Sequence, residues 1–193
     1  KLTLAYDGTR YAGWQVQAKG QGAGPPRHAI SAGRVGRGQG KSERPTVQGA
    51  IEAAFHAILH ERVRVIGSGR TDAGVHALGQ VAHLRTSSPI APRRLQHALN
   101  ALLPRDIVVT HIAEAPAGFH ARFQAKTKRY RYQIVTGDYV LPFERPYVYH
   151  VRVPLNVALM RREARALLGR HDFRAFHASG RLVADTRRTI TDV

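Results

Sequence analysis

The chain has 193 residues, enough for one large domain or two small ones, and its hydrophobic content of 43% fits a globular protein. Thirty Lys and Arg stand against thirteen Asp and Glu, so the formal net charge is +17 and we expect a polyanionic partner. The cations are spread along the chain and do not form one amphipathic helix, which disfavours a membrane surface. Absent cysteines exclude disulfides and thiolate zinc sites, and with no long apolar run a cytoplasmic protein is expected.

Strand and helix patterns alternate through the first half of the chain. Period-two alternation predicts strands, and apolar residues at helical spacing predict helices, the first of them with Thr46 as N-cap. In chain order the predicted elements are a strand at 1–6, a helix from 46 to about 60, strands at 62–66 and 80–85, a helix at 92–103 and a strand at 107–112. This βαββαβ order predicts an α+β fold in which residues 1–115 form a ferredoxin-like (RRM-like) α/β sandwich with an antiparallel sheet.

A basic, glycine-rich segment at residues 18–44 interrupts this domain. It has no sustained apolar period, and connections of this length are functional or disordered. Two interpretations stay open: a mobile surface insertion, or an arm that grips RNA and folds on binding.

A second domain is predicted from residue 116 to residue 193. Its patterns give strands at 126–135 and 146–153, a helix at 156–168 with Gly169 at the C-cap, and a strand at 188–193. Because strand, strand, helix and strand make only part of a second ferredoxin-like antiparallel domain, we expect that domain to be incomplete in this chain.

The segment at residues 67–77 places one carboxylate, Asp72, among glycines and basic residues. Gly67, Gly69 and Gly74 allow positive φ and close approach of another molecule, which favours a shaped loop. Asp72 is the candidate catalytic residue, with Arg70 beside it. The alternative is that Asp72 is an ordinary turn residue and Arg70 its solvated partner.

Aromatic and basic side chains alternate along the predicted strand at 126–135. An aromatic ring beside cations suits base stacking and phosphate neutralisation, although each tyrosine has an equal claim to be a half-buried core residue. Tyr130, near the start of the strand, is the better candidate for a ligand contact. One face is predicted to carry Tyr130, Tyr132 and Ile134, and the other Arg129, Arg131 and Gln133.

Arg122 lies in the loop before that strand, where it could reach a phosphate or serve as a plain surface cation. The eleven histidines show no metal-binding spacing on a predicted helix, so we expect no metal site. A metal-dependent nuclease would need clustered carboxylates, for which only Asp7, Asp72 and Asp106 are loop candidates.

Four segments taken together resemble the bacterial tRNA pseudouridine synthase A family. They are YDGTRYAGWQVQ at 6–17, GRTDAGVHA at 69–77, FHARF at 119–123 and KRYRY at 128–132. The resemblance implies a cofactor-free isomerase (an intramolecular transferase), usually a homodimer, that converts uridine to pseudouridine at positions 38–40 of the tRNA anticodon stem-loop.

Carried over residue by residue, the resemblance makes Asp72 the catalytic aspartate, Arg70 the arginine beside it and Tyr130 the tyrosine that contacts the target base. Arg122 lies in a family motif, with a less defined role. Two features depart from the family: its carboxy-terminal segment, an apolar stretch with histidine followed by Met-Val-Arg, is absent, and the insertion at 18–44 interrupts a usually short link.

Two questions stay open at this point. Asp72 could attack C1′ of the ribose as a nucleophile or remove a ribose proton as a base. The chain could also be a non-catalytic RNA-binding module of ferredoxin-like fold, although the predicted strand at 80–85 lacks the aromatic residues typical of such modules.

Overall fold

The computed structural model describes residues 1–15, 44–176 and 185–193. Nearly all of the insertion predicted at 18–44 therefore lies outside the described residues. The chain forms two compact units, Lys1–Arg129 and Tyr130–Val193. The domain boundary predicted between residues 115 and 116 stays a prediction. No helix of the described part combines the length and the apolar character that a membrane span requires.

The first unit has the predicted βαββαβ order, which is thereby confirmed. Its four strands form one sheet in the order β2-β3-β1-β4, and every neighbouring pair is antiparallel. The elements are β1 (Leu2–Tyr6), α1 (Val47–Leu59), β2 (Ile66–Gly67), β3 (Ala77–His83), α2 (Pro92–Leu102) and β4 (Ile107–Ile112).

The strand predicted at 62–66 is mostly wrong, because only its last residue belongs to β2. The Val65 amide donates to the Glu52 carboxylate on α1 (2.9 Å), so a side chain replaces the strand neighbour that a ladder would supply. Strand β3 begins three residues earlier than predicted and thus shortens the loop that precedes it.

Helix α1 begins at the predicted cap. The Thr46 hydroxyl accepts from the Gly49 amide (3.1 Å), which satisfies a free donor of the first turn. The helix closes at His60, which adopts a left-handed conformation with φ 54°. Its apolar stripe of Val47, Ile51 and Phe55 is fully buried against the sheet, where Leu2 and Leu4 of β1 are buried as well. The core of the unit is therefore the helix-covered face of the sheet.

The second unit differs from its prediction in several elements. Residues 126–133 form no strand, the β5–β6 pair is parallel where an antiparallel sheet was expected, and strand β7 was not predicted. The helix begins at the predicted Asn156 cap but ends early, continuing as a 3₁₀ turn. The elements are β5 (Ile134–Thr136), β6 (Tyr149–Val151), α3 (Val157–Ala164), β7 (Gly169–Asp172) and β8 (Arg187–Ile190).

The physical reason for the missing strand is the lack of a partner. Alternation gives a segment two faces, but a strand also needs a neighbour whose backbone can pair with it. Within the described residues no strand pairs with 126–132, and only Gln133, at the end, is bonded to β6, where its carbonyl accepts from the Tyr149 amide (2.7 Å). The side chains of Tyr130 and Tyr132 are 77% and 88% exposed. The predicted division of aromatic and basic side chains between two strand faces is therefore wrong for these residues.

Candidate functional site

The candidate site is the segment from Gly67, at the end of β2, to Ala77, at the start of β3, called here the Asp72 loop. Its first residues are bonded to β3. The Ser68 amide donates to the Val81 carbonyl (2.7 Å), and the Ser68 hydroxyl donates to Oε1 of Gln80 (2.7 Å). Nε2 of Gln80 donates to the Gly69 carbonyl (2.7 Å). One amide side chain thus fixes two consecutive residues of the loop.

The middle of the Asp72 loop is held by the N-terminal loop, residues 7–15, and by the last residue of β1. The hydroxyls of Tyr6 and Thr71 are hydrogen-bonded at 2.9 Å. The Trp14 amide donates to the Thr71 carbonyl (3.0 Å), and the Gly74 amide donates to the Tyr11 carbonyl (3.4 Å). Segments more than fifty residues apart in sequence therefore form one structure.

Two glycines of the N-terminal loop make this close fit possible. A Cβ on Gly8 would lie 2.1 Å from the Val75 carbonyl oxygen. A Cβ on Gly13, which has φ +100°, would lie 2.5 Å from the Thr71 carbonyl oxygen. The backbones approach at distances that no other residue type permits, so the Asp72 loop has a tightly constrained path.

His76 joins the same two loops near the start of β3. Its Nδ1 lies 3.2 Å from the Gly8 amide, which donates to it, and 3.1 Å from Oδ1 of Asp7. Oδ1 of Asp7 also accepts from the amide (2.9 Å) and hydroxyl (2.6 Å) of Thr9. These contacts orient the end of the Asp72 loop.

Asp72 itself is exposed at the turn of its loop. Its carbonyl oxygen accepts from the Val75 amide (3.2 Å), which closes the turn. Its carboxylate forms no hydrogen bond or ion pair with the residues that the structure describes. A fixed backbone thus presents an accessible carboxylate, as a nucleophile or a base requires.

Arg70 is also exposed, on the other side of Thr71 from Asp72. In the described part of the chain it forms no ion pair with Asp72, so the two charged groups are both available to a ligand. Lys128, which we did not predict as a site residue, adds a third charged group. Its ammonium nitrogen lies 3.4 Å from the place where a Cβ on Gly69 would be.

Arg122 lies in a separate turn that is fixed by histidines. The Ala121 amide donates to Nδ1 of the buried His83 (3.2 Å), and Nδ1 of His120 accepts from the amides of Arg122 and Phe123 (both 3.3 Å). Burial, followed by the nearby His120, lowers the pKa of His83, which favours its neutral, accepting form. The Arg122 side chain is exposed, and no hydrogen bond or ion pair joins it to the Asp72 loop within the described residues.

Tyr130 opens the second unit, and its ring is largely exposed. Its role as a base contact stays a prediction. The other two loop carboxylates have partners. Asp106 accepts from Arg10 (2.6 Å) and from the Tyr11 hydroxyl (2.6 Å), and Asp7 is bonded as above. Over residues 1–15, 44–176 and 185–193, no group of three or more His, Asp or Glu side chains could together hold a metal ion.

Thr71, Tyr6, Gln80 and the two close-packed glycines were missed as site residues. A partial signal exists, because Gly8 and Gly13 lie in the YDGTRYAGWQVQ segment and glycine is typical of close backbone approach. Nothing in the sequence shows which segment approaches them.

Comparison with known proteins identifies the class. The family model described as tRNA pseudouridine synthase matches residues 4–124, which include the Asp72 loop, the N-terminal loop and the FHARF turn. The chain belongs to this tRNA pseudouridine synthase family, and the predicted resemblance is confirmed.

Individual relatives point the same way. All of this chain aligns with proteins named tRNA pseudouridine synthase A from Oleidesulfovibrio alaskensis, at 48% identity, and from Halalkalibacterium halodurans, at 45%. A Thermoanaerobacter protein of the same name is 39% identical, again over the whole of this chain. The chain spans 64% of the length of the first two relatives and 69% of the third.

Proposed function

We propose that this protein isomerises uridine to pseudouridine in tRNA and that Asp72 is its catalytic residue. The observation that carries the proposal is the accessible Asp72 carboxylate on a loop fixed from both sides, in a chain of the tRNA pseudouridine synthase family. The net charge of +17 supports a nucleic-acid substrate, because phosphates are neutralised by Lys and Arg.

The reaction breaks the bond from N1 of uracil to C1′, turns the base and forms a bond from C5 to C1′, after which C5 loses its proton and N1 gains one. Atoms and electrons balance without an oxidant, reductant or energy source, so we propose that no cofactor takes part. Asp72 either attacks C1′ to give a sugar ester or removes a ribose proton to give a glycal. Both routes use the same exposed oxygen atoms.

The target nucleotide must leave its stack to reach Asp72, at a cost of about a few kcal/mol. Arg70, next to the hydrogen-bonded Thr71, binds a backbone phosphate or fills the vacated space. Tyr130 stacks on the uracil during its rotation, and Arg122 binds a phosphate. Exposed aromatic and cationic side chains are suited to these roles.

The finer proposals follow the family resemblance. The substrate positions are 38–40 of the anticodon stem-loop, and the enzyme acts as a cytoplasmic homodimer. The domains divide near residue 115, and both are ferredoxin-like. The sheet order β2-β3-β1-β4 supports this fold for the first domain, because β1 and β3 lie side by side in the centre and β2 and β4 form the edges, as in a split βαβ unit.

The test is release of tritium from C5-labelled uridine in tRNA by the full-length protein, compared with Asp72→Asn. We expect turnover by the parent and essentially none by the variant, with tRNA affinity retained. The matched control is Asp138→Asn, the same change at another exposed aspartate, which should keep the parent rate.

Two results would contradict the proposal. A parent protein that binds tRNA tightly but releases no tritium would be a non-catalytic RNA-binding module. An Asp72→Asn protein as active as the parent would remove Asp72 from the chemistry.

A further inference from the structure

We propose that the hydrogen bonds of Gln80 with Ser68 and Gly69 and of Tyr6 with Thr71 form a network that positions Asp72 for the reaction, and that Thr71 is the key positioning residue. The inference rests on the proposed function, since it assigns Asp72 a reaction. It concerns residues that do not touch substrate. Their contribution is to the direction in which the exposed side chains of the loop project.

Thr71 is hydrogen-bonded both through its side-chain hydroxyl and through its main-chain carbonyl. Its hydroxyl is bonded to the Tyr6 hydroxyl (2.9 Å), and its carbonyl accepts from the Trp14 amide (3.0 Å). Thr71 is half-buried, whereas its neighbours Arg70 and Asp72 are exposed. Arg70 and Asp72 are joined directly to Thr71, so bonds that fix the side chain and the carbonyl of Thr71 restrict where its two exposed neighbours can project.

Tyr6 provides a rigid anchor for this bond. Its side chain is buried in the core, and its ring centroid lies 6.1 Å from that of Trp14. Burial raises the pKa of the Tyr6 hydroxyl, and the side chains of Thr71 and Gln80 lower it in part. The phenol therefore stays protonated at neutral pH and keeps the hydroxyl that is bonded to Thr71.

Gln80 completes the network on strand β3. Its amide group holds Ser68 and Gly69, as described above, and Gln80 itself lies opposite Leu4 of the neighbouring strand β1. Residues 68, 69 and 71 are thus tied to two central strands of the sheet, while the side chains of Arg70 and Asp72 are left to the substrate. A displacement of about 1 Å at a reacting group can reduce a rate about a hundredfold, so small losses in this network should be visible in catalysis.

The experiment compares Thr71→Val, which keeps the shape and removes the hydroxyl, with Thr71→Ser, which keeps the hydroxyl, in the full-length protein. Single-turnover tritium release gives the rate constant, and filter binding gives the Kd for tRNA. We expect Thr71→Val to lower the rate constant about tenfold or more with the Kd changed less than about twofold. Thr71→Ser should return the rate to within about threefold of the parent.

Tyr6→Phe is the second variant, because it deletes a single oxygen and keeps the ring in the core. Tyr6→Phe, like Thr71→Val, should lower the rate constant. The double variant should be no slower than the slower single variant, since both remove one interaction. Thermal unfolding of each protein identifies a variant that has lost its fold, and Tyr6→Phe then provides the test.

The outcomes separate this inference from the proposed function. Parent rates in both Thr71→Val and Tyr6→Phe, with Asp72→Asn inactive, would overturn the positioning role alone. A weakened Kd at an unchanged rate constant would also overturn it, because the network would then serve binding. If Asp72→Asn has the parent rate, the proposed catalytic residue and its positioning both fail.

Discussion

The two units of this chain differ in what surrounds their apolar side chains. The first buries a continuous core that includes Leu4, Ile51, Phe55 and Leu99. Among the described residues of the second unit only Val140 is buried, and α3 has no buried residue at all. Hydrophobic pattern alone is therefore no guide to packing, because a stripe or an alternating strand stabilises a fold only when another element covers it.

The largest expected effect comes from the core of the first unit. Phe55→Ala should lower the free energy of unfolding by about 3–5 kcal/mol, because it removes a fully buried ring and leaves a cavity. Met160→Ala on α3, where the side chain is 44% exposed, should change it by only about 0.5 kcal/mol. Urea denaturation followed by circular dichroism measures both, and equal losses would show that the second unit has a core after all.

A smaller effect tests whether the units unfold separately. Thr46 and Asn156 both cap a helix through a side-chain oxygen, at 3.1 Å and 2.9 Å. Thr46→Ala should lower the free energy of unfolding of the first unit by about 1 kcal/mol. The probe is the fluorescence of Trp14, the single tryptophan, which lies in the core of that unit. Asn156→Ala should leave the transition reported by Trp14 unchanged, and an equal shift by both variants would mean that the units unfold as one.

The smallest expected effect is on how the stability of the first unit depends on pH in the acid range. Burial alone would raise the pKa of Asp106, but hydrogen bonds from Tyr11 and Arg10 outweigh it and hold the pKa below its ordinary value of 3.8. A depressed folded pKa stabilises the fold above the unfolded value, and this stabilisation is lost as the pH falls through the folded pKa. Asp106→Asn should therefore destabilise the first unit at neutral pH and lose that difference as the pH falls below 3.8.

The matched comparison is Asp172 in the second unit, whose pKa is lowered mainly by the Thr186 hydroxyl. Because its unit packs no core around it, Asp172→Asn should leave the Trp14 transition unchanged at every pH. Urea titrations across the acid range measure both variants. A difference between parent and Asp106→Asn that grows in acid would contradict the assigned ion pair.

The sequence predicted elements well where local signals and tertiary partners agree. The Thr46 cap, the apolar stripe of α1 and the β-branched run of β4 each specify an element that the first unit then buries. The prediction failed for residues 126–132, where alternation is present but no strand of the described part pairs with the segment. Strand pairing depends on two segments, and the sequence of one segment does not identify its partner.

The same limit applies to the candidate site. The glycines and the single carboxylate of the Asp72 loop predict a shaped loop with a candidate catalytic residue. The Tyr6 to Thr71 bond joins residues 65 positions apart, and the contact of Gly8 with Val75 spans a similar distance. Those partners follow from the topology of the sheet, which places the end of β1 beside the start of β3.

The end of the N-terminal loop is bonded to the chain that leads into α1. Ala12 donates to the Pro45 carbonyl (2.9 Å), Val47 to Gly13 (3.1 Å) and Gln48 to Trp14 (2.9 Å), so the chain on either side of residues 16–43 is tied together by backbone bonds. Tyr11 and Trp14 of the same loop are bonded to Gly74 and Thr71, so the Asp72 loop is anchored through the N-terminal loop to the start of α1 as well as to the sheet. A substitution in the first turn of α1 that breaks these bonds would therefore be expected to reach the Asp72 loop without touching the sheet.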